Sequence, residues 1–197
     1  NHFYHVYNRG VNKQNIFIDE QDYFYFLGLF KRHLATDEHL TDSYGRKSPN
    51  YNEEVELVAY CLMPNHYHLL IFLKEPAGLV HLTRSVMTAY TMYFNKKYER
   101  TGKLYEGVFL AAPIHTDMYL WHVSRYIHLN PLDIKADFLH YPYTSLGYFR
   151  GTKRASWLNE ERLVATQKER SEYADFVADY ETMHKDRKFI TGLLAAE

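Results

Sequence analysis

Two apolar runs, residues 55–62 and 66–72, are separated by only three residues, Met63-Pro64-Asn65. A link that short cannot carry a crossover, so the runs must pair as an antiparallel hairpin, and this hairpin becomes the centre of any sheet the chain builds. The second run opens His66-Tyr67-His68. Side chains alternate faces along a strand, which puts both imidazoles on one face with Cα atoms roughly 7 Å apart. Two imidazoles aimed one way can hold a divalent cation, although an isolated His-x-His more often caps a strand and bonds locally. The choice turns on whether the chain also supplies a third ligand, a nucleophile and a substrate surface.

Taken in order, residues 2–8 are aromatic and β-branched and read as a first strand, followed by a turn that carries Arg9 and Lys13. Asp19 or Asp22 can cap a helix with Tyr23, Phe26, Leu27, Phe30 and Leu34 in register. Residues 36–54 are polar and read as a long loop before the hairpin. A helix over 79–97 follows, then a turn at Arg100-Thr101-Gly102-Lys103 and a fourth strand over 104–114. The order β-α-β-β-α-β predicts an α+β chain with a ferredoxin-like split β-α-β antiparallel sheet, resembling an RNA-recognition module. Two helices would cover one sheet face and leave the other open as a nucleic-acid platform.

A further helix runs from Thr116-Asp117 to Asn130-Pro131, where proline forbids continuation. Leu120, Val123 and Ile127 form its docking stripe. At about 100° per residue, Tyr119, His122, Tyr126 and Asn130 form a second stripe beside it, so Tyr126 and Asn130 can reach one site. An aromatic loop over 141–150 and an amphipathic helix over 171–184 follow. The expected division is residues 1–132, the sheet domain with its added helix, and 133–197, a helical C-terminal appendage.

Aromatic residues make up 17% of the chain, with 19 tyrosines, which suits base stacking and an aromatic core equally. The formal net charge of −1 gives no global basic field, so any phosphate-binding surface is local. Cys61 is the single cysteine, which excludes an intramolecular disulfide and fits a reducing cytosol. No apolar run approaches about 18 residues, so no membrane span is expected, and no signal-peptide pattern is visible in a chain that opens at Asn1 without a methionine.

The stretch Ala59-Tyr60-Cys61-Leu62-Met63-Pro64-Asn65-His66-Tyr67-His68-Leu69-Leu70 resembles the HUH motif of the single-tyrosine, IS200-like transposases. Arg125-Tyr126-Ile127-His128-Leu129-Asn130-Pro131 resembles the tyrosine motif of their REP-associated branch. Tyr4-His5-Val6-Tyr7-Asn8-Arg9-Gly10, Tyr93-Phe94-Asn95 and Tyr141-Pro142-Tyr143-Thr144-Ser145 fall in the same order, so the likeness covers about residues 2–150. The resemblance implies cleavage and rejoining of single-stranded or hairpin DNA on a ferredoxin-like domain, with Mg²⁺ or Mn²⁺ and a covalent 5′-phosphotyrosine. It also implies a cytoplasmic, nucleoid-associated enzyme, monomeric or homodimeric, working in cis. Where relatives carry a Gly-Arg-Phe-like block after the second helix, this chain has Glu106-Gly107-Val108-Phe109, a cation fewer.

The residue types suit that chemistry. A phosphodiester needs its non-bridging oxygens neutralised and a nucleophile in line. His66 and His68 are the expected metal ligands, Asn130 the third through its amide oxygen, and Tyr126 the nucleophile. His122 is a candidate base or supporting partner. Arg9, Lys13, Arg84, Lys96, Lys97, Arg100, Lys103 and Arg125 are candidate phosphate contacts. Two rivals stand beside this expectation: a catalytically lapsed hairpin or single-strand DNA-binding regulator, and a metal phosphoesterase or RNA nuclease that activates water.

Overall fold

The hairpin forms as its short link requires. Strands β2 (Val55–Met63) and β3 (His66–Leu73) pair antiparallel, with Met63 opposite His66. The structure is a computed structural model that describes residues 2–36 and 48–179. On the other side of β3 lies β1 (His2–Arg9), antiparallel, with Tyr7 opposite His68. Strand β4 (Leu110–Ile114) pairs with β1, which gives the sheet order β2-β3-β1-β4. Helix α1 (Glu20–Leu34) follows β1 and α2 (Gly78–Lys97) follows β3, completing the ferredoxin-like β-α-β-β-α-β path.

Helix α1 begins where a capping box can close. The Asp19 side chain accepts from the Asp22 amide and the Asp22 side chain accepts from the Asp19 amide. Tyr23, Phe26, Phe30 and Leu34 then meet Leu82, Val86, Tyr90 and Phe94 of α2 over Val6, Tyr67, Leu69 and Ile71 of the sheet. Asp22 ties the two helices together. Its side chain is fully buried and accepts from Lys97 Nζ at 2.8 Å, Tyr98 at 2.7 Å and the Ile18 amide at 2.8 Å. Burial alone would push this carboxyl up, but Lys97 and the other donors outweigh it and hold it below the usual range. Asp22→Ala should therefore cost about 3 kcal/mol, because the Ile18 amide and the Tyr98 hydroxyl lose their acceptor and Lys97 keeps only Asp19. Thermal unfolding should show a fall of roughly 10 °C. Because the carboxyl is depressed in the folded state, its contribution is present above about pH 4 and lost as pH falls further.

The second sheet face differs from the expected open platform. Phe3, Leu70 and Phe72 of that face pack under α3 (Asp117–Leu129), and Val58, Ala59, Cys61 and Met63 of β2 join the same core. A bulge between Leu57 and Ala59 turns Val58 and Ala59 toward it together. Leu120, Val123 and Ile127 are buried as their spacing requires, each stabilising the docking by about 2 kcal/mol. Residues after 132 thicken this layer with Phe138, Leu146, Phe149, Val164 and Tyr173.

The aromatic loop contains a short helix, α4 (Leu146–Phe149), and runs along the free edge of β2. There the Leu62 amide donates to the Tyr143 carbonyl and the Ser145 amide to the Tyr60 carbonyl. The last helix, α5 (Gln167–Ala178), starts four residues earlier than expected, because Thr166 and Glu169 close a capping box. The rest of the stretch expected to be helical, beyond residue 179, lies outside the described residues, as does most of the 36–54 loop. Strand β4 is shorter than the expected 104–114. Residues 104–106 instead fold against the end of β1, where the Val11 amide donates to the Leu104 carbonyl and the Glu106 amide to the Arg9 carbonyl. Among the described residues no helix is long and apolar enough to cross a membrane.

Candidate active site

The second face is not covered everywhere. Where β1 and β3 run out from under α3, a cavity of about 720 Å³ opens, lined among others by Tyr7, Arg9, His66, His68, Tyr126 and Asn130. Strand alternation delivers the histidines and Tyr7, and the last turn of α3 delivers Tyr126 and Asn130. The His66 and His68 rings stand 5.1 Å apart and nearly perpendicular, at 88°. The Tyr126 ring meets His68 edge-on at 5.3 Å and His5 at 5.9 Å.

Each of these side chains is held from behind. Asn65 Oδ1 lies 2.6 Å from His66 Nδ1, and Asn65 Nδ2 donates to the Lys13 carbonyl. His68 Nδ1 lies 2.9 Å from His5 Nε2. Asn130 Nδ2 donates to the Tyr126 carbonyl at 2.8 Å, capping α3, and its side chain also bonds His66. With the amide nitrogen tied to the Tyr126 carbonyl, the Asn130 oxygen is the atom that faces His66 in the cavity. The Pro64-Asn65 link is itself fixed, since its carbonyls accept from the Gly10, Ile16 and Phe17 amides. At Gly10 a Cβ would lie 2.2 Å from the Gln14 carbonyl oxygen, so only glycine lets this turn close.

The electrostatics keep the imidazoles neutral. Burial, and then the nearby Arg9 charge, pushes His66 down to about 4. His68 is driven well below its ordinary value by burial and then by His5, His66 and Arg9. Neutral imidazoles keep a lone pair to donate, which is the form a metal ligand needs. Among the described residues no group of three His, Cys, Asp or Glu could hold a metal ion. The available donor set is therefore two imidazoles plus the neutral Asn130 oxygen. That set fits a divalent cation that keeps open positions for phosphate and water.

Other candidates lie elsewhere. The His122 ring packs against Phe176 at 5.4 Å and does not line the cavity. One turn earlier on α3 moves it about 6 Å along the axis from Tyr126. Arg9 lines the cavity, and Arg84 lines a smaller hollow that shares Asn8, Gly107 and Val108 with it. Lys103 reaches the Glu106 carbonyl. Lys97 is engaged by Asp19 and Asp22, and Arg100 by Asn95 and Gln14. Lys13 and Lys96 are exposed outside the cavity lining. Arg125 is buried at 1% exposure, donating to the Phe176 carbonyl with its guanidinium 3.9 Å from the Phe176 ring. It anchors α3 to α5.

No site role was expected of His5, Tyr7, Glu106 or Asp133. Alternation along residues 2–8 puts His5 and Tyr7 on one face, but only the pairing with β3 shows that it is the face of His66 and His68. Glu106 and Asp133 come from irregular segments with no periodicity to read.

The family model of the IS200-like transposases matches residues 31–130, from within α1 to the end of α3. Among solved structures, the chain is similar to a REP-associated tyrosine transposase bound to a REP hairpin. The two share 15% identity and a TM-score of 0.56, over 79% of this chain and 84% of that one. At that identity the likeness is one of fold. No curated protein matches the chain.

Proposed function

Since the chain belongs to the IS200-like transposase family, we propose that it cuts and rejoins single-stranded, hairpin-bearing DNA through a covalent link to Tyr126. The observation that carries this reading is the meeting of Tyr126 with His66, His68 and Asn130 around one cavity. The similar solved structure is of a protein bound to a REP hairpin, which supports a hairpin substrate. Nucleophile and ligands come from one chain, which supports a site that works in cis.

His66, His68 and the Asn130 oxygen would hold Mg²⁺ or Mn²⁺. When bound, the cation would neutralise charge on the non-bridging oxygens of the scissile phosphate. Tyr126 Oη attacks phosphorus, the P–O3′ bond breaks, and the 3′ oxygen leaves as a hydroxyl after taking up a proton. The 5′ phosphate stays on Tyr126. A phenol titrates ordinarily near 10, so its proton must be accepted during attack. Glu106 and Asp133 line the cavity and His122 does not, so the acceptor is sought there. A DNA 3′-hydroxyl then attacks the tyrosyl phosphodiester and restores both the strand and the phenol, with no ATP.

Two rival readings are tested alongside it, a regulator that binds hairpin DNA without cutting it and a metal phosphoesterase that activates water. End-labelled hairpin DNA incubated with the protein and Mn²⁺ separates the readings. A denaturation-resistant protein–DNA adduct that disappears in EDTA is the expected result. Binding without an adduct selects the regulator, and cleavage without one selects water as nucleophile.

A further inference from the structure

We propose that His5 is a positioning residue for the metal site, accepting the Nδ1–H of His68 so that the Nε2 of His68 faces the cavity as a ligand. The inference rests on the reading that His66 and His68 hold a divalent cation. Strand β1, which carries His5, lies outside the span matched by the family model.

The register puts the pair together. Tyr7 is opposite His68 and His5 opposite Leu70, so His5 and His68 are diagonal neighbours on one face. Their rings lie 5.0 Å apart at 20°, joined by the 2.9 Å contact between His5 Nε2 and His68 Nδ1. Asn65 does the corresponding work for His66. Its Oδ1 only accepts, so the proton sits on His66 Nδ1 and leaves His66 Nε2 with a lone pair. Both metal-ligand candidates are therefore backed at Nδ1, His66 by its own chain neighbour and His68 by a residue of the adjacent strand β1, the arrangement that fixes tautomer and ring orientation at metal sites.

His5 differs from Asn65 in one respect. It can donate or accept, and its own Nδ1 is buried with no hydrogen-bond partner among the described residues. In the metal-free chain the cheaper arrangement has His5 donating, because that strands a lone pair rather than an N–H at Nδ1. With a cation held at Nε2 of His68, both rings would take the other tautomer: His68 would donate, His5 would accept, and the overall charge of the pair would be unchanged. A phenylalanine of similar shape would fill the same space and leave His68 Nδ1 without its partner.

The test is Mn²⁺ titration of the EDTA-stripped full chain, with free Mn²⁺ read by electron paramagnetic resonance and thermal unfolding run in parallel. His5→Phe should weaken Mn²⁺ binding by roughly 10–100-fold. His5→Gln, whose amide oxygen can take the place of Nε2, should recover a large part of that loss. A lower melting temperature with unchanged Mn²⁺ affinity would assign His5 a merely structural role and overturn the inference. A wild-type chain that binds no Mn²⁺, like His66→Ala, overturns the metal reading and this inference with it. Should His5→Phe fail to fold, ¹⁵N spectra of the Mg²⁺-loaded wild type decide. They should show His68 protonated at Nδ1, and protonation at Nε2 overturns the inference.

Discussion

Tyr126→Phe should abolish strand cleavage, lowering the single-turnover rate by about 10⁴-fold or more, the scale on which an enzyme responds to loss of its nucleophile. Phenylalanine keeps the ring that packs edge-on against His68 and His5, so α3 docks as before. Loss of the hydroxyl removes its hydrogen bonding, at about 1 kcal/mol per bond. The variant should therefore keep its melting temperature within a few degrees and still bind hairpin DNA in a gel-shift assay. Only the adduct and the cut strand should vanish. Cleavage at a near wild-type rate by this variant would pass the nucleophile's role to water or to another tyrosine. His66→Ala complements it, since it should lose cleavage with Tyr126 intact.

Acid should unfold this protein early, between about pH 6 and pH 5, well above the range where carboxylates titrate. His5, His68 and His128 are almost wholly buried. Burial pushes His5 and His128 down to about 3, and burial followed by neighbouring charges takes His68 well below its ordinary value. His128 is satisfied as a neutral ring, with Nδ1 2.7 Å from the Tyr173 hydroxyl and Nε2 2.7 Å from Ser145 Oγ. The unfolded chain protonates all three near pH 6.5 and the folded chain resists, so below that pH the unfolded state binds more protons and stability falls with pH. Each group contributes about 1.4 kcal/mol per pH unit, so these three alone give a slope on the order of 4 kcal/mol per unit, and His66, pushed down to about 4, adds to it. That is a large fraction of the ordinary stability of a domain. Urea denaturation in EDTA at pH 7, 6 and 5 would measure it, and His128→Gln should remove about a quarter of the slope. Equal stability at pH 7 and pH 5 would sink the prediction.

The sequence carried the sheet well because its signals are local. The three-residue link forces the hairpin, and the apolar period of 19–34 and 79–97 forces two helices onto one face. The α3 stripes also carried over, since Leu120, Val123 and Ile127 dock and Tyr126 and Asn130 reach one cavity. What the sequence could not convey was long-range. His5 looks like one more residue of an aromatic strand until β1 is laid against β3. Arg125 and Lys97 read as surface cations until their partners, Phe176 and Asp22, arrive from 51 and 75 residues away. The second sheet face read as open because residues 133–179 show little periodicity. The apolar stripe of α3 covers it, and those residues thicken the cover with scattered large side chains such as Phe138, Leu146 and Phe149.

Strand and helix at the active site hang from different parts of the chain. The ligand strand is pinned at its start by the turn after β1, through the Gly10, Ile16 and Phe17 amides. The helix bearing Tyr126 is seated by the C-terminal segment, through Ser145 and Tyr173 on His128 and the Phe176 carbonyl on Arg125. Exchange of the C-terminal segment between relatives would thus replace the seat of the tyrosine along with whatever that segment contacts. The two properties are inherited together, and a chimera that changes one should be expected to disturb the other unless the Ser145, Tyr173 and Phe176 contacts travel intact.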